Sequence, residues 1–261
     1  MDLDLRGRHA LVCGGSDGIG RAAAMELARL GADVTLLARR EQALRDAVQA
    51  LPDADGQRHG FLVADMADAP ALRGSAGALA NGRPVQILVN NTGGPPGGPA
   101  HAAPVEAYLD AFHRHLIAGQ TLLQAVLPGM RAIGWGRIVN VISTSVYEPI
   151  PNLGVSNTVR GAVASWAKTL SRELGGDGIT VNNVLPGYTR TQRLHQILAD
   201  RSQASGQSQD EVARGMLATV PAGRFAEPEE TGAVIAFLCT NAAAYVNGQS
   251  IAVDGGRMQS I

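Results

Sequence analysis

The sequence predicts one α/β domain in which helices cover both faces of a parallel sheet. Short apolar segments alternate with longer helical segments along the chain, and this alternation is typical of parallel strands joined by helical crossovers. The first apolar segment runs directly into a glycine-rich turn and an alanine-rich helix. The length suits one large domain over residues 1–261, and no shift in composition divides the chain.

The individual elements follow from hydrophobic periodicity. Short runs that are mostly apolar and β-branched indicate strands of a buried sheet. The predicted strands are residues 9–12, 34–38, 60–65, 85–89, 137–142 and 180–185. The predicted helices are a first one that ends near Gly31, followed by residues 41–51, 69–80, 104–131 and 155–174.

A glycine-rich turn at residues 13–20 joins the first strand to the first helix. Glycines here allow a tight turn, a close approach of backbone N–H groups to a phosphate, and close packing of the helix on the strand. The helix N-terminus favours an anion such as a pyrophosphate. An isolated glycine pattern fits a simple turn equally well, but the strand and helix around this one favour a dinucleotide. The predicted cofactor residues of the turn are Gly14, Ser16, Asp17, Gly18, Ile19 and Gly20.

Two arginines follow the second strand and indicate which dinucleotide is bound. An Asp or Glu at this point, about 20 residues beyond the glycine turn, would hydrogen-bond the ribose 2′-hydroxyl of NAD. Arg39 and Arg40 stand there instead. Guanidinium groups pair with a 2′-phosphate, so the sequence predicts NADP(H). Arginines before a helix are also ordinary solvated residues, and for Arg40 both interpretations remain open.

Several motifs resemble those of the short-chain dehydrogenase/reductase family. Residues 13–20 resemble Thr-Gly-x-x-x-Gly-Ile-Gly, with Cys13 in place of threonine. Residues 90–93 resemble Asn-Asn-Ala-Gly, and residues 186–191 resemble Pro-Gly-x-x-x-Thr. The resemblance covers nearly the whole chain. It implies a Rossmann-type, doubly wound sheet that is completed by a C-terminal helix and a last strand.

The resemblance also implies further cofactor contacts. Asp65 and Met66 would contact the adenine, although an aspartate at a strand end also caps the following turn. Asn90 would tie neighbouring strands together, and Gly93 would let the backbone approach the ribose. The residues that would hold the nicotinamide end are Pro186, Gly187, Thr189 and Thr191.

The catalytic positions of the family are altered in this sequence. The family places Tyr thirteen residues after a catalytic Ser, and Lys four residues after that Tyr. Ser143 fits the serine, but Ser156 stands at the tyrosine position and Arg160 at the lysine position. His115 aligns with the family's catalytic Asn.

These changes alter the acid–base chemistry that the site can perform. An alkyl hydroxyl at Ser156 cannot exchange a proton as a phenol with a lowered pKa does, and Ser156 has no His-Asp partner that would make it a nucleophile. Arg160 keeps a positive charge that can polarise a carbonyl. The candidate proton donors are His115, which would titrate near neutral pH, and Tyr147 or Tyr188. His115 also fits a packed helix residue beside an apolar stripe.

Three segments away from these motifs have expected roles. Residues 95–99 would form a rim of the substrate cleft, and residues 192–220 a mobile, partly helical lid that is too polar to contribute to a core. In the helix at 104–131, the residues Leu109, Phe112, Leu116 and Leu123 recur at roughly helical spacing, and the resemblance implies that this stripe packs in a subunit interface. The resemblance implies a homotetramer or a homodimer.

Composition excludes several other classes of protein. Lys and Arg number 22 against 23 Asp and Glu, so no basic excess indicates a nucleic-acid or membrane partner. Cys13 and Cys239 fit neither a disulfide framework nor a metal site and are interpreted as small buried residues. No signal pattern or membrane-spanning apolar run is seen, and a cytoplasmic location is expected.

The sequence therefore predicts an NADP(H)-dependent oxidoreductase that acts on a small carbonyl or alcohol substrate through an atypical active site. A catalytically inactive or regulatory NADP(H)-binding protein of the same fold is the alternative that the altered positions leave open. A cofactor-free lyase is a third possibility, which the intact glycine turn disfavours.

Overall fold

The fold is built on a seven-stranded parallel sheet. The computed structural model of the protein describes residues 1–54 and 56–260. Its strands are β1 (His9–Cys13), β2 (Asp33–Ala38), β3 (Gly60–Val63), β4 (Ile87–Asn90), β5 (Gly136–Val141), β6 (Ile179–Pro186) and β7 (Ser250–Val253). They lie in the order β3-β2-β1-β4-β5-β6-β7, and neighbouring strands are parallel. The order reverses between β1 and β4, which leaves a crevice at their carboxyl ends.

Helices cover both faces of this sheet, which confirms the predicted architecture. They are α1 (Gly18–Arg29), α2 (Glu41–Gln49), α3 (Ala69–Gly82), α4 (Val105–Phe112), α5 (Ala118–Ile133), α6 (Gly154–Leu174), α7 (Gln192–Ser205), α8 (Gln209–Leu217) and α9 (Pro228–Leu238). One core layer lies under α1, α2 and α9, and the other under α3, α5 and α6. Adjacent strand residues point to opposite faces, so Leu11 and Val12 of β1 enter different layers.

The single helix that was predicted for residues 104–131 is interrupted by a π turn, His113–Ile117, between α4 and α5. A π turn is wider than an α turn and changes the phase of the helix, so residues on its two sides no longer share one face. Leu109 is 55% exposed, whereas Leu123 is 2% exposed and packs in the core of the chain itself. The predicted interface stripe is therefore wrong at Leu123.

Two other predicted segments differ from the structure. Strand β3 ends at Val63, two residues before Asp65, so this carboxylate lies in the loop that follows. Residues 192–220, which were predicted to be partly helical, contain two helices, α7 and α8. These helices contribute to a small apolar cluster that includes Leu198 and Met216, so the prediction that this segment is too polar for a core is wrong.

A chain of side-chain hydrogen bonds, called here the amide chain, crosses four neighbouring strands of the sheet. Asn90 Nδ2 donates to Asn140 Oδ1 (2.9 Å), and Asn140 Nδ2 donates to Asn183 Oδ1 (3.0 Å). Asn183 Nδ2 then donates to Ser250 Oγ (3.0 Å). These four residues are direct register partners on β4 to β7. The chain of bonds joins the strands below the crevice and pairs most polar atoms of these buried amides, although Asn90 Oδ1 has no hydrogen-bond partner among the described residues.

Both cysteines are buried and free, as the sequence indicated. Burial raises the pKa of the Cys13 thiol and of the Cys239 thiol to about 12. Neither thiol is ionised near neutral pH, and both serve as small apolar side chains. None of the helices in the described part of the chain combines the length and apolar character needed to cross a membrane.

The amide chain leads to a prediction about stability. Asn140→Ala removes the central member and leaves Asn90 Nδ2 and Asn183 Oδ1 without partners in a buried layer. Each unsatisfied buried group costs about 1–3 kcal/mol, so we expect the loss of both partners to lower the free energy of unfolding by about 2–6 kcal/mol in urea titrations. Asn81→Ala, on the exposed side of α3, is the control and should change it by no more than about 0.5 kcal/mol. An equal effect of both substitutions would contradict a structural role for the amide chain.

Candidate active site

A cleft lies at the carboxyl edge of the sheet and consists of two adjoining cavities. The larger has a volume of about 740 Å³ and the smaller about 360 Å³. Their shared walls are Gly14, which follows β1, and residues 91–94, which follow β4. The cleft therefore opens where the strand order reverses, which is the usual position of ligands in open α/β sheets.

The glycine turn is shaped by close contacts that no side chain could share. Gly14 has φ +59°, and a Cβ at that position would lie 2.6 Å from Asn91 Nδ2. A Cβ on Gly18 would lie 3.1 Å from Thr191 Cγ2. Asp17 Oδ1 accepts a hydrogen bond from Gly18 N (2.8 Å) and begins α1. This tight turn keeps the first N–H groups of α1 at the wall of the cleft.

The larger cavity brings together the residues that were predicted to bind the adenosine half of a cofactor. Of the predicted cofactor residues, it is lined by Gly14, Ser16, Arg39, Arg40, Asp65, Met66 and Gly93. Arg39 and Arg40 are exposed at the end of β2. Asp65 Oδ1 accepts hydrogen bonds from Ala67 N (2.9 Å) and Arg114 Nη1 (3.1 Å). Asp65 thus shapes its own loop as well as the cavity.

The smaller cavity contains most of the remaining predicted residues. From the cofactor set it is lined by Asp17, Gly18, Ile19, Pro186, Gly187, Thr189 and Thr191, and from the catalytic set by Ser143, Ser156, Arg160 and Tyr188. Two residues of the predicted cofactor set lie outside both cavities. Gly20 packs against the Gly14 backbone, where a Cβ would clash, and Asn90 belongs to the amide chain.

Arg160 projects from α6 into the wall of the smaller cavity and is 8% exposed. Its Nη1 donates to the Val141 carbonyl oxygen (2.7 Å). Burial and then repulsion by Arg193 lower the pKa of Arg160 to about 10, so it stays charged at neutral pH. No ion pair joins Arg160 to a carboxylate among the residues described.

The hydroxyl groups of the smaller cavity have different surroundings. Ser143 Oγ accepts from Ser145 N (3.1 Å) and caps a short 3₁₀ turn, which leaves its O–H to donate. Ser156 lies in the first turn of α6 and is half-buried. The Tyr188 ring meets Phe225 edge-on at 6.2 Å, and the Arg257 guanidinium lies 4.8 Å from its centre. These contacts fix the ring at the boundary of the cavity.

The structure corrects the expectation that His115 titrates near neutral pH. His115 is 8% exposed within the π turn and lines the larger cavity. Burial, with repulsion from Arg160 and Arg114, lowers the pKa of His115 to about 2, although a hydrogen bond to the Gly93 backbone opposes this shift. The imidazole is therefore neutral at physiological pH. Tyr147, the other candidate, is 54% exposed and lies outside the walls of both cavities.

Comparison with known proteins identifies the family of the chain. A family model described as enoyl-(acyl carrier protein) reductase matches residues 14–257. Gluconate 5-dehydrogenase of Gluconobacter oxydans is 32% identical over 255 residues, which span 97% of this chain and 96% of that protein. The chain belongs to the short-chain dehydrogenase/reductase family.

Other members of the short-chain dehydrogenase/reductase family are similar over the same extent. The 3-oxoacyl-(acyl-carrier-protein) reductase of Pseudomonas aeruginosa is 32% identical, over 99% of this chain and all of the relative. The crystal structure of L-sorbose reductase from Gluconobacter frateurii, a complex with NADPH and L-sorbose, has a TM-score of 0.93 at 28% identity and covers both chains completely. The fold of this chain is thus that of a known NADPH-binding relative.

Two residues of this short-chain dehydrogenase/reductase were missed by sequence reasoning. Asn91 Nδ2 lies over the glycine turn and donates to the Cys13 carbonyl oxygen (3.4 Å); the Asn-Asn pair after β4 was a signal for it. Arg193, at the start of α7, donates from Nη2 to the Pro95 carbonyl oxygen (2.8 Å) across the cleft. No local pattern marks Arg193, because its role depends on how α7 packs.

The buried histidines predict a loss of stability in mild acid. Burial lowers the pKa of His115 to about 2 and that of His9 to about 4. Below about pH 6.5 the unfolded chain binds protons that the folded chain does not. The free energy of unfolding should therefore fall with pH by up to about 1.4 kcal/mol per unit for each histidine. Urea titrations between pH 7.5 and 5 measure this slope.

A matched pair of variants measures the contribution of His115 to the slope of the free energy of unfolding against pH. His115→Asn should reduce the slope, because the substituted chain no longer gains that proton on unfolding. His113→Asn, which changes an exposed histidine on the same π turn, should leave the slope unchanged. A slope that His115→Asn does not alter would show that His115 binds a proton equally in both states.

Proposed function

We propose that this protein is an NADP(H)-dependent oxidoreductase that reduces a carbonyl to an alcohol at an atypical site. The observation that carries the proposal is the position of Arg160. A buried, charged guanidinium and the Ser143 hydroxyl line the same cavity as the glycine turn. Positive charge and hydrogen-bond donors in such a place stabilise the negative charge that develops on a carbonyl oxygen during reduction.

The cleft has the features that NADP(H) requires. Gly14 and Gly18 adopt positive φ and leave backbone exposed beside the N-terminus of α1, which suits a pyrophosphate. Arg39 and Arg40 would hold the 2′-phosphate, and the loop after β2 lacks the acidic residue that selects NAD. Asp65 and Met66 would border the adenine. Thr189 and Thr191 would hold the nicotinamide amide. When bound, NADPH supplies a hydride to the carbonyl carbon.

The residues of this chain would supply the remaining chemistry. Arg160 polarises the carbonyl oxygen and stabilises the charge that forms on it, while Ser143 donates a hydrogen bond to the same oxygen. One proton must also reach this oxygen to complete the alcohol. Tyr188 is the phenol of the smaller cavity, and we assign the proton to it because His115 is neutral and buried. Ser156 shapes the pocket where the family has its tyrosine.

We also propose how the domain, the lid and the assembly of the chain serve this reaction. Residues 1–261 act as one dinucleotide-binding and catalytic domain, and residues 192–220 act as a substrate lid, which the contact between Arg193 and the Pro95 carbonyl supports. Exposed Val105, Leu109 and Ile117 offer apolar surface for assembly into a homotetramer or homodimer. A cytoplasmic location fits the use of NADPH as reductant.

Transfer of deuterium tests the proposed reaction directly. The protein is incubated with 4-deuterated NADPH and a panel of ketones, aldehydes, diketones and enones, and the products are analysed by mass spectrometry. We expect label in at least one alcohol product. Arg160→Gln should lower kcat about 100-fold while NADPH binding is kept, because it removes charge stabilisation of the transition state. Arg172→Gln, an exposed change on the same helix, should leave kcat unchanged.

The opposite outcome favours the non-redox alternative. Tight binding of NADPH with no label in any product would indicate a regulatory or inactive NADP(H)-binding protein. The double substitution Ser156→Tyr with Arg160→Lys restores the family's residues. Ketone reduction that appears only in this double variant would show that the cofactor geometry is intact and that the native site lacks turnover on these substrates.

The arginines after β2 predict cofactor preference. Arg39→Ala combined with Arg40→Ala removes charges that would pair with the 2′-phosphate, and each such hydrogen bond contributes about 1.5–3 kcal/mol. We expect NADPH affinity to fall at least 10-fold in calorimetric titrations, with NADH affinity nearly unchanged. Arg45→Ala, one turn into α2 and paired with Glu41, is the control. Equal loss for both cofactors would argue against 2′-phosphate recognition.

A further inference from the structure

The guanidinium groups of two arginines, Arg160 and Arg193, approach one point on the wall of the smaller cavity. The position that a Cβ of Gly94 would occupy is 3.7 Å from Arg160 Nη2 and 3.8 Å from Arg193 Nη2. Arg160 comes from α6 and Arg193 from α7, so two separate elements bring their guanidinium groups to one point. Glycine at residue 94 leaves that point open.

The charge of this pair is not balanced by nearby carboxylates. Among the described residues, neither arginine takes part in an ion pair, whereas Arg190 pairs with Glu227 (2.9 Å) only three residues from Arg193. The acidic residue of the smaller cavity is Asp17, and its Oδ1 accepts the Gly18 N–H at the start of α1. Two like charges in a partly buried site without counterions are costly.

The neutral partners of the two arginines use only part of their hydrogen-bonding capacity. Arg160 donates to the Val141 carbonyl and Arg193 to the Pro95 carbonyl. Each guanidinium has five N–H groups in a planar fork, and a carboxylate or a phosphate matches that fork with two or more oxygens. The cavity wall thus has donors and positive charge that a neutral ketone would not use.

We propose that the substrate is an anionic carbonyl compound, with a carboxylate or phosphate group bound by Arg193 next to the carbonyl that Arg160 polarises. This inference rests on the proposed function and adds the substrate class. The phosphates of the cofactor have a separate site at the glycine turn and at Arg39 and Arg40. Arg193 instead contacts the loop after β4 at the Pro95 carbonyl and lies beside Arg160 near Gly94.

Matched substrates test the inference. The pairs are pyruvate with methyl pyruvate, acetoacetate with methyl acetoacetate, and dihydroxyacetone phosphate with dihydroxyacetone, each with deuterated NADPH. We expect kcat/KM to be at least 10-fold higher for an anionic member than for its neutral partner. Preference within the oxo acid pairs identifies a carboxylate, and preference within the last pair identifies a phosphate. Equal kcat/KM within every pair that turns over would overturn the inference.

A second comparison assigns the preference to Arg193. Arg193→Gln should lower kcat/KM for the anionic member about 10- to 100-fold, with little change for the neutral member and for the Kd of NADPH. Arg190→Gln is the control. It removes a charge three residues from Arg193 that is already paired with Glu227, so kcat/KM and the Kd of NADPH should stay unchanged. A large loss of NADPH affinity in Arg193→Gln would instead assign Arg193 to the cofactor and overturn the inference.

A binding measurement separates failure of this inference from failure of the proposed function. Oxamate and inorganic phosphate are titrated calorimetrically into the NADP⁺-loaded protein and into its Arg193→Gln variant. Binding that needs Arg193 supports the anion site even where no carbonyl is reduced. If neither probe binds while neutral ketones take up label, the anion site is refuted and the proposed reaction stands.

Discussion

The contact between Asn91 and the glycine turn is the constraint on which the cleft depends. The loops after β1 and β4 approach so closely that a Cβ on Gly14 would lie 2.6 Å from the Asn91 amide. Backbone therefore forms the wall between the two cavities, and N–H groups reach the space where a ligand binds. A side chain at Gly14 would separate the loops and move the start of α1 away from that space.

The close approach of these two loops requires that neighbouring strands of the sheet be fixed relative to one another. The amide chain from Asn90 to Ser250 joins four strands in direct register, just below the loops that carry Asn91, Ser143 and Gly187. Buried side chains that are joined by hydrogen bonds hold one another in place. Ser143 and the residues of the glycine turn thus belong to one stiff edge of the sheet, whereas Arg193 comes from a helix outside it.

The sequence predicted features of the site that are determined by a few residues close together in the chain. The glycine turn and Arg39 with Arg40 follow from short patterns at strand ends, where a parallel sheet gathers its loops. Ser143 and Arg160 were found from the spacing that the family resemblance implies. Features that depend on packing were missed. The π turn changes the phase of a regular apolar pattern, burial moves the pKa of His115, and Arg193 reaches the cleft only because α7 packs on α8 around Leu198 and Met216.

The unbalanced arginines also affect the folded state without any ligand. Desolvation of Arg160 and its repulsion by Arg193 oppose folding, and the rest of the core must offset that cost. Stability and ligand affinity are therefore in opposition at this site, a compromise frequent in active sites. Any anion that enters would neutralise the repulsion, so the occupied protein would resist heat and proteolysis better than the empty one.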